Sequence, residues 1–418
     1  MENHADIRYP AGLTLINMKY ILLVVILGVV GCQSSSDTFY TDLSKGSLPE
    51  AWETIPLGKD TAQEIATYNP SSSAVVIQQG RLESPAFSVS SLQYYRVQMR
   101  VKAPAKAMWA FTFYDNAGEV LLADHYSSID PSDDFQQYEY YVQSKANAAQ
   151  AEFWLQPATG QSVSLSEVRV TPAQSSLEVK QWIDSVYQTI PPVSYTPPPG
   201  RFQYLDKTMA ALRNGEKIRV VMLGNSIIND TGNSAWELLV EEMYPGADLE
   251  VITSVRGGTG CTYYQHNNRV DTFVVQYQPD LLMIGGISHG KDTAAMYSVI
   301  RQVREWMEPA PEIMVMSGPV GRGGDPRTNP EFSVEPLEGD FRLELAQMTA
   351  DAQVNYFDMK SAWGAYLEQT QQPYDYFLRD PVHANARGRQ ILARLLEVYF
   401  KPTSGNTATK ESSQTELE

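Results

Sequence analysis

Two short motifs, far apart in the chain, carry side chains that can do chemistry together. An apolar run, Ile218-Arg219-Val220-Val221-Met222-Leu223, ends in Gly224-Asn225-Ser226, and much later the chain reads Asp380-Pro381-Val382-His383. A serine hydroxyl is a weak nucleophile until an imidazole accepts its proton and a carboxylate holds that imidazole in the right tautomer. All three groups are present. The chemistry indicated is acyl transfer, with Ser226 as nucleophile, His383 as base and Asp380 as its orienter. Placing Ser226 at the end of an apolar run agrees with this, because open α/β sheets build their sites at the carboxyl ends of their strands.

For those residues to meet, a sheet must present Ser226 and a terminal helix must hold His383 beside it. After residue 200, apolar strand candidates at 218–223, 249–254, 281–284, 313–317 and 354–357 alternate with amphipathic stretches at 234–243, 293–307, 339–352 and 385–400. Such alternation predicts an α/β domain over residues 201–401, a parallel sheet covered by helices on both faces. Upstream, the period is two: Tyr95, Val97, Met99 and Val101 alternate with Tyr94, Arg96, Gln98 and Arg100. Similar runs divided by turns such as Asp115-Asn116-Ala117-Gly118 predict an all-β, jelly-roll-like sandwich over residues 37–173. Its aromatics Tyr94, Trp109, Tyr138, Tyr140 and Trp154 are either core or a surface on which sugar rings stack. Residues 174–200 read as a helix and then a linker stiffened by Pro191-Pro192 and Pro197-Pro198-Pro199. The polar stretch 402–418 reads as a disordered tail.

The α/β half resembles the SGNH or GDSL-type hydrolases over roughly residues 215–400. Gly224-Asn225-Ser226 resembles the first block of that family, with Asn225 where Asp is usual, and Asp380-x-x-His383 resembles the last. The resemblance implies a flavodoxin-like three-layer fold and an esterase triad of Ser226, His383 and Asp380. It also implies an oxyanion hole, built here from the N–H of Ser226 and of Gly257 or Gly258 in Arg256-Gly257-Gly258-Thr259-Gly260. Those glycines would equally serve a plain turn. The third block departs from the family: where Gly-x-Asn-Asp is expected, the chain reads Gly285-Gly286-Ile287-Ser288-His289-Gly290. Ser288 or His289 could supply the missing donor, or His289 could simply cap the next helix. Asn225, Tyr263, Tyr264 and Arg322 lie in segments expected at the sheet's carboxyl end and are candidates for substrate contact, with His266, Arg269 and Arg327 nearby.

Composition narrows the partners. The 418-residue chain carries a net charge of −17, and removing residues 1–31 leaves it unchanged, since Glu2 and Asp6 balance Arg8 and Lys19. Such a chain has nothing to displace the counterions of a phosphate backbone, so nucleic acid is excluded as a partner. Met18-Lys19-Tyr20, the apolar run Ile21–Val30 and Gly31-Cys32 describe an export signal, too short to span a bilayer. Val29-Val30-Gly31-Cys32 resembles the bacterial lipobox, which implies lipid attachment at Cys32 and a cell-envelope address, and Gln33 resembles signals sorted to the outer membrane. Met18 reads as the true start. With Cys32 lipidated, Cys261 is a lone thiol, expected as a buried small residue. No cofactor or metal is expected; Asp130, Asp133 and Asp134 have a spacing common in turns. The function expected is an exported, lipid-anchored serine esterase acting on a polysaccharide or oligosaccharide ester. Two alternatives stand beside it. One is the same fold cleaving another ester or a glycosidic bond, with Asp380 paired to Asp230 or Asp292; the other is a glycan-binding lipoprotein with an inactive hydrolase domain.

Overall fold

The computed structural model describes residues 39–45, 47–49, 51–56, 65–286 and 291–402. The expected signal segment, the lipidation site Cys32, the pair Ser288 and His289, and residues 403–418 of the tail lie outside the described residues.

The strand Lys217–Gly224 lies second from one edge of a five-stranded parallel sheet. Asp248–Val255 pairs with it on one side and Leu281–Gly285 on the other, and Glu312–Met316 and Asn355–Phe357 extend the sheet beyond the latter. In chain order the strands lie 2-1-3-4-5, the flavodoxin-like arrangement, whose crevice opens at the carboxyl end of the first strand. The residues of Lys217–Gly224 alternate between two cores: Ile218, Val220 and Met222 join one with Leu239, Ile391 and Leu395, while Val221 and Leu223 join the other with Val299, Ile300 and Val303. Burial on both faces explains why the strand reads as a continuous apolar run.

The main covering helices are Trp236–Met243, Thr293–Trp306, Phe341–Ala352 and the closing helix Ala386–Phe400. Asp292, Asp340 and Asn385 cap the last three by accepting a backbone N–H of the first turn. Asp206–Asn214, Met359–Gln369 and the short Ser226–Gly232 are further helices that the apolar spacing does not announce.

Residues 39–172 form two antiparallel sheets. One runs Ser132–Gln143, Tyr94–Ala103, Val163–Pro172, Ala74–Ile77, Ala66–Asn69, with Phe39–Asp42 also on Val163–Pro172. The other runs Glu53–Ile55, Arg81–Glu83, Gln150–Gln156, Ala107–Tyr114, His125–Ile129, with Phe87–Ser88 on Gln150–Gln156. The alternation is as the sequence indicates, with Tyr95, Val97, Met99 and Val101 inside. Of the five aromatics named for core or sugar stacking, three take the core role. Trp109, Trp154 and Tyr140 are buried, and Trp109 packs edge-on to Phe111 and tilted against Tyr140. Tyr94 turns toward the α/β half, where its hydroxyl bonds Glu237.

Residues 174–200 pack against both halves. Trp182 of the helix Ser176–Tyr187 donates its Nε1–H to Glu139 O at 2.9 Å on the sandwich side. On the other side Asp184 pairs with Arg394 and Lys180 with Glu242. The proline-rich stretch is tied down by Tyr366, which donates to Pro191 O at 3.0 Å. The described residues accordingly belong to one compact unit. Among the described residues no helix is long and apolar enough to cross a membrane.

Candidate functional site

The turn from Lys217–Gly224 into the helix Ser226–Gly232 sets the serine. A Cβ on Gly224 would lie 2.3 Å from Gly285 O, so only glycine lets the strand end approach its neighbour this closely. Asn225 then adopts an extended conformation and caps the helix, its Oδ1 accepting the Ile227 N–H at 3.0 Å. Gly286, with φ +64°, sits so near that a Cβ would meet Asn225 Oδ1 at 2.6 Å. Asn225 is therefore a buried cap, and its assignment as a substrate contact is corrected. Ser226 opens the helix half-buried, and amides at that position have no carbonyl within the helix to bond.

The segment Leu378–Asn385 folds on itself to present the base. Asp380 Oδ1 accepts the N–H groups of Val382 and His383 at 2.8 and 3.0 Å, an aspartate turn that brings the carboxylate round to its own i+3 neighbour. Arg379 N donates to His383 O at 2.9 Å, and Asn385 caps the closing helix while holding Tyr376 O and Leu378 O. His383 Nδ1 lies 2.9 Å from both oxygens of Asp380, and its Nε2 lies 2.8 Å from Ser226 Oγ. The three residues form one hydrogen-bonded chain. Burial raises the Asp380 carboxyl, but the hydrogen bond and charge of His383, the Arg379 guanidinium and the Val382 N–H outweigh it and hold the group below the usual carboxylate value. An ionised Asp380 fixes Nδ1 as the protonated nitrogen of His383, leaving Nε2 free to accept the serine proton.

Beneath this chain lies a residue whose role the sequence does not announce. Asp230, fully buried, accepts Arg379 at 2.5 Å and Arg389 at 3.0 Å on Oδ1, and the Ala384 N–H at 3.0 Å on Oδ2. It ties the serine helix to the histidine segment. The carboxylate-pair reading is corrected with it: Asp230 is committed to two arginines, and Asp292 caps a helix through Ala295 N.

The loops behave unevenly. Gly257 and Gly258 are exposed at the carboxyl end of Asp248–Val255, with open space where side chains would be. Tyr264 is fully buried, and its hydroxyl donates to Gly224 O at 2.6 Å, so it supports the serine turn and its assignment as a substrate contact is corrected. Tyr263 is half-buried beneath the guanidiniums of Arg256 and Arg269. Arg322 is exposed, whereas Arg327 is bound to Asp325 and to Thr370 O and Gln372 O. Cys261 is buried, and burial pushes its thiol up to about 12. Among the described residues no cluster of three or more His, Cys, Asp or Glu converges to hold a metal ion, and Asp130 pairs with Arg387.

No protein-family model matches the chain, and no curated protein matches it. Solved structures do. The chain is similar to a two-domain esterase active on acetylated mannans at 16% identity and a TM-score of 0.38, covering 50% of this chain and 58% of that one. It is similar to a family two carbohydrate esterase from Cellvibrio japonicus at 13% identity and a TM-score of 0.25, covering 85% and 98%. A salicylyl-acyltransferase from a tetracycline biosynthetic pathway matches at 14% identity and a TM-score of 0.31, covering 87% and 96%.

Proposed function

We propose that the protein is a serine esterase of SGNH type that hydrolyses carboxylic esters through Ser226, His383 and Asp380. The hydrogen-bonded chain Ser226 Oγ to His383 Nε2 and His383 Nδ1 to Asp380 carries the reading. As Ser226 Oγ attacks the ester carbonyl, His383 Nε2 takes its proton, and Asp380 stabilises the imidazolium that forms. The same proton passes to the departing alcohol oxygen when the carbon–oxygen bond breaks. Water then enters, His383 removes one of its protons, the hydroxide oxygen bonds the acyl carbon, and Ser226 Oγ leaves with the proton returned.

Three donors are proposed for the oxyanion: the N–H of Ser226, the N–H of Gly257 or Gly258, and a side chain from Ser288 or His289. Losing one such donor costs about 10²- to 10³-fold in kcat, so alanine at 288 and at 289 in turn should reveal which residue serves. The proposed substrate is a polysaccharide or oligosaccharide ester, and the proposed address is the bacterial envelope, through lipid on Cys32. An accessory sandwich beside the α/β domain and the proposed envelope address support that substrate class.

Ser226→Ala should abolish hydrolysis of a small aryl acetate while leaving the melting temperature nearly unchanged. Equal turnover in that variant would overturn the triad. An active-site phosphonate separates the esterase from a binding protein: covalent labelling of Ser226 supports the first, and glycan binding without labelling supports the second. Release of acid or alcohol from acetylated and methyl-esterified polysaccharides then identifies the ester.

A further inference from the structure

The helix that begins at Ser226 has only seven residues, too few to hold its own orientation. Ser226, Asn229, Asp230 and the capping Asn233 are spaced i, i+3, i+4 and i+7, so they share one face. All four bond to partners outside the helix, Ser226 to His383 and the other three to residues that fix the helix in place. Asn229 Nδ2 donates to Asp124 Oδ1 at 2.7 Å and to Asp124 O at 3.1 Å. Asn233 Nδ2 donates to Asp124 O at 3.0 Å, and its Oδ1 accepts Lys145 Nζ at 2.5 Å. Asp230 takes the two arginines. Asp124 and Lys145 belong to the sandwich.

The histidine side is anchored to the same place. Arg389, on the closing helix, reaches from Asp230 to His125 Nε2 at 3.1 Å and to Tyr126 O on the sandwich strand His125–Ile129. A guanidinium only donates, so His125 Nε2 accepts and its Nδ1–H points to Asn233 Oδ1, 3.3 Å away. The segment leading to Asp124 is itself fixed, with Leu121 N bonding Phe113 O at 2.8 Å.

We propose that Asp124 of the sandwich is a positioning residue of the Ser226–His383 pair. It sets the rotation of the serine helix through Asn229, while His125 and Tyr126 set the histidine segment through Arg389 and Asp230. The sandwich is thereby part of the frame of the active site. Apolar packing between the two halves would hold them together, but it would not select one rotation of a seven-residue helix, because apolar contact is non-directional. Hydrogen bonds from consecutive turns of one face do select it.

This inference rests on the esterase reading, and kinetics on an aryl acetate test both. Asp124→Ala should lower kcat roughly 10- to 100-fold, the scale expected when a reacting atom is displaced by about 1 Å, with KM within about twofold and phosphonate labelling of Ser226 slowed in parallel. Asp124→Asn, which keeps an oxygen for Asn229, should restore most of the turnover. A folded Asp124→Ala variant with wild-type kcat overturns the inference. Should Asp124→Ala fail to fold, Asn229→Asp and the exchange Asp124→Asn with Asn229→Asp decide it. The single variant sets two carboxylates against each other, and the exchange rebuilds the bond with donor and acceptor swapped. Recovery of kcat in the exchange supports the inference, and a folded exchange variant without recovery overturns it. Wild-type turnover that survives Ser226→Ala overturns the esterase reading and this inference with it, whereas Ser226-dependent turnover with an unaffected Asp124→Ala overturns this inference alone.

Discussion

Between its two sheets the sandwich packs Trp109, Phe111 and Phe153 against aliphatic side chains such as Ile77 and Leu155. Along its seam with the α/β half it presents Asp124, His125 and Lys145 to Asn229, Asn233 and Arg389. The two regions belong to the same strands and loops but hold by different physics. The core is stabilised by removing apolar area from water, which tolerates small displacements. The seam consists of buried polar groups, each costly if left unpaired, so it tolerates few arrangements. On the proposed reading, stability resides mainly in the first and the geometry of Ser226 and His383 in the second, and mutations in the two regions should separate these quantities.

Asp230→Ala should have the largest effect. It leaves Arg389 a buried charge without its carboxylate and Arg379 with only Asp380, 3.7 Å away, which costs about 3–5 kcal/mol, and it should remove turnover under conditions where the variant remains folded. Urea unfolding and aryl acetate kinetics measure the two effects. A stable, active variant would place the seam in the same class as the core.

The seam should also show itself in pH dependence. Burial pushes the Lys145 ammonium down to about 7, with the Arg389 charge in the same direction and Asp124, Glu237 and Asp230 opposing. Between about 7 and 10.5 the unfolded chain holds a proton that the folded chain has released, so stability should rise with pH through that window, by up to about 1.4 kcal/mol per unit. Burial raises Glu237 to about 7 and Asp124 to about 6. These carboxyls keep a proton in the folded state that the unfolded chain loses, so stability should fall as pH rises from about 4 toward 7. Taken alone, these three groups give a curve with its minimum near neutrality, and His125, held neutral by burial, opposes the carboxyls on the acid side. Lys145→Met should flatten the alkaline limb in thermal melts, and an unchanged limb would remove Lys145 as its source.

Ile77→Val, in the sandwich core, should cost about 0.5–1.5 kcal/mol with kcat unchanged, since nothing directional is lost; a fall in kcat would break the comparison from the core side. Smallest is Asp130→Asn. Its ion pair with Arg387 lies at the rim of the seam with Asp130 half exposed, so the loss should be about 0.2–1 kcal/mol, without a kinetic change.

Much of the candidate site is legible in the sequence, for identifiable reasons. Ser226 could be placed because an apolar strand must end where its side chain becomes available, and His383 with Asp380 because Asp-x-x-His stands just before the closing helix of a sheet whose first strand ends in Gly-Asn-Ser. The order of strands and covering helices followed from apolar runs that reappear here within a residue or two. What remained hidden depends on partners distant in the chain. Arg389 and Arg394 look like the solvated side of an amphipathic helix, yet both are buried against carboxylates, Asp230 and Asp184, supplied from other elements. Tyr264 and Asn225 stand where substrate contacts would stand, but a tyrosine hydroxyl and an amide oxygen serve a strand end and a helix cap equally well. The helix Ser226–Gly232 is too short to show a period, although the polar spacing 226, 229, 230, 233 was a usable trace of it.

The bonds that join the sandwich to the closing helix span most of the sequence: 264 residues separate His125 from Arg389, and 257 separate Asp130 from Arg387. Contacts of such separation must close a long loop before they return any energy, which places them late in folding. The sandwich can assemble while the rest of the chain is being synthesised, but its edge at Asp124 and His125 waits for the last helix to arrive. Activity should therefore appear only after the full chain has left the ribosome. A fragment cut within residues 174–200 should emerge with Asn229, Asn233 and Arg389 lacking the groups they were folded to meet.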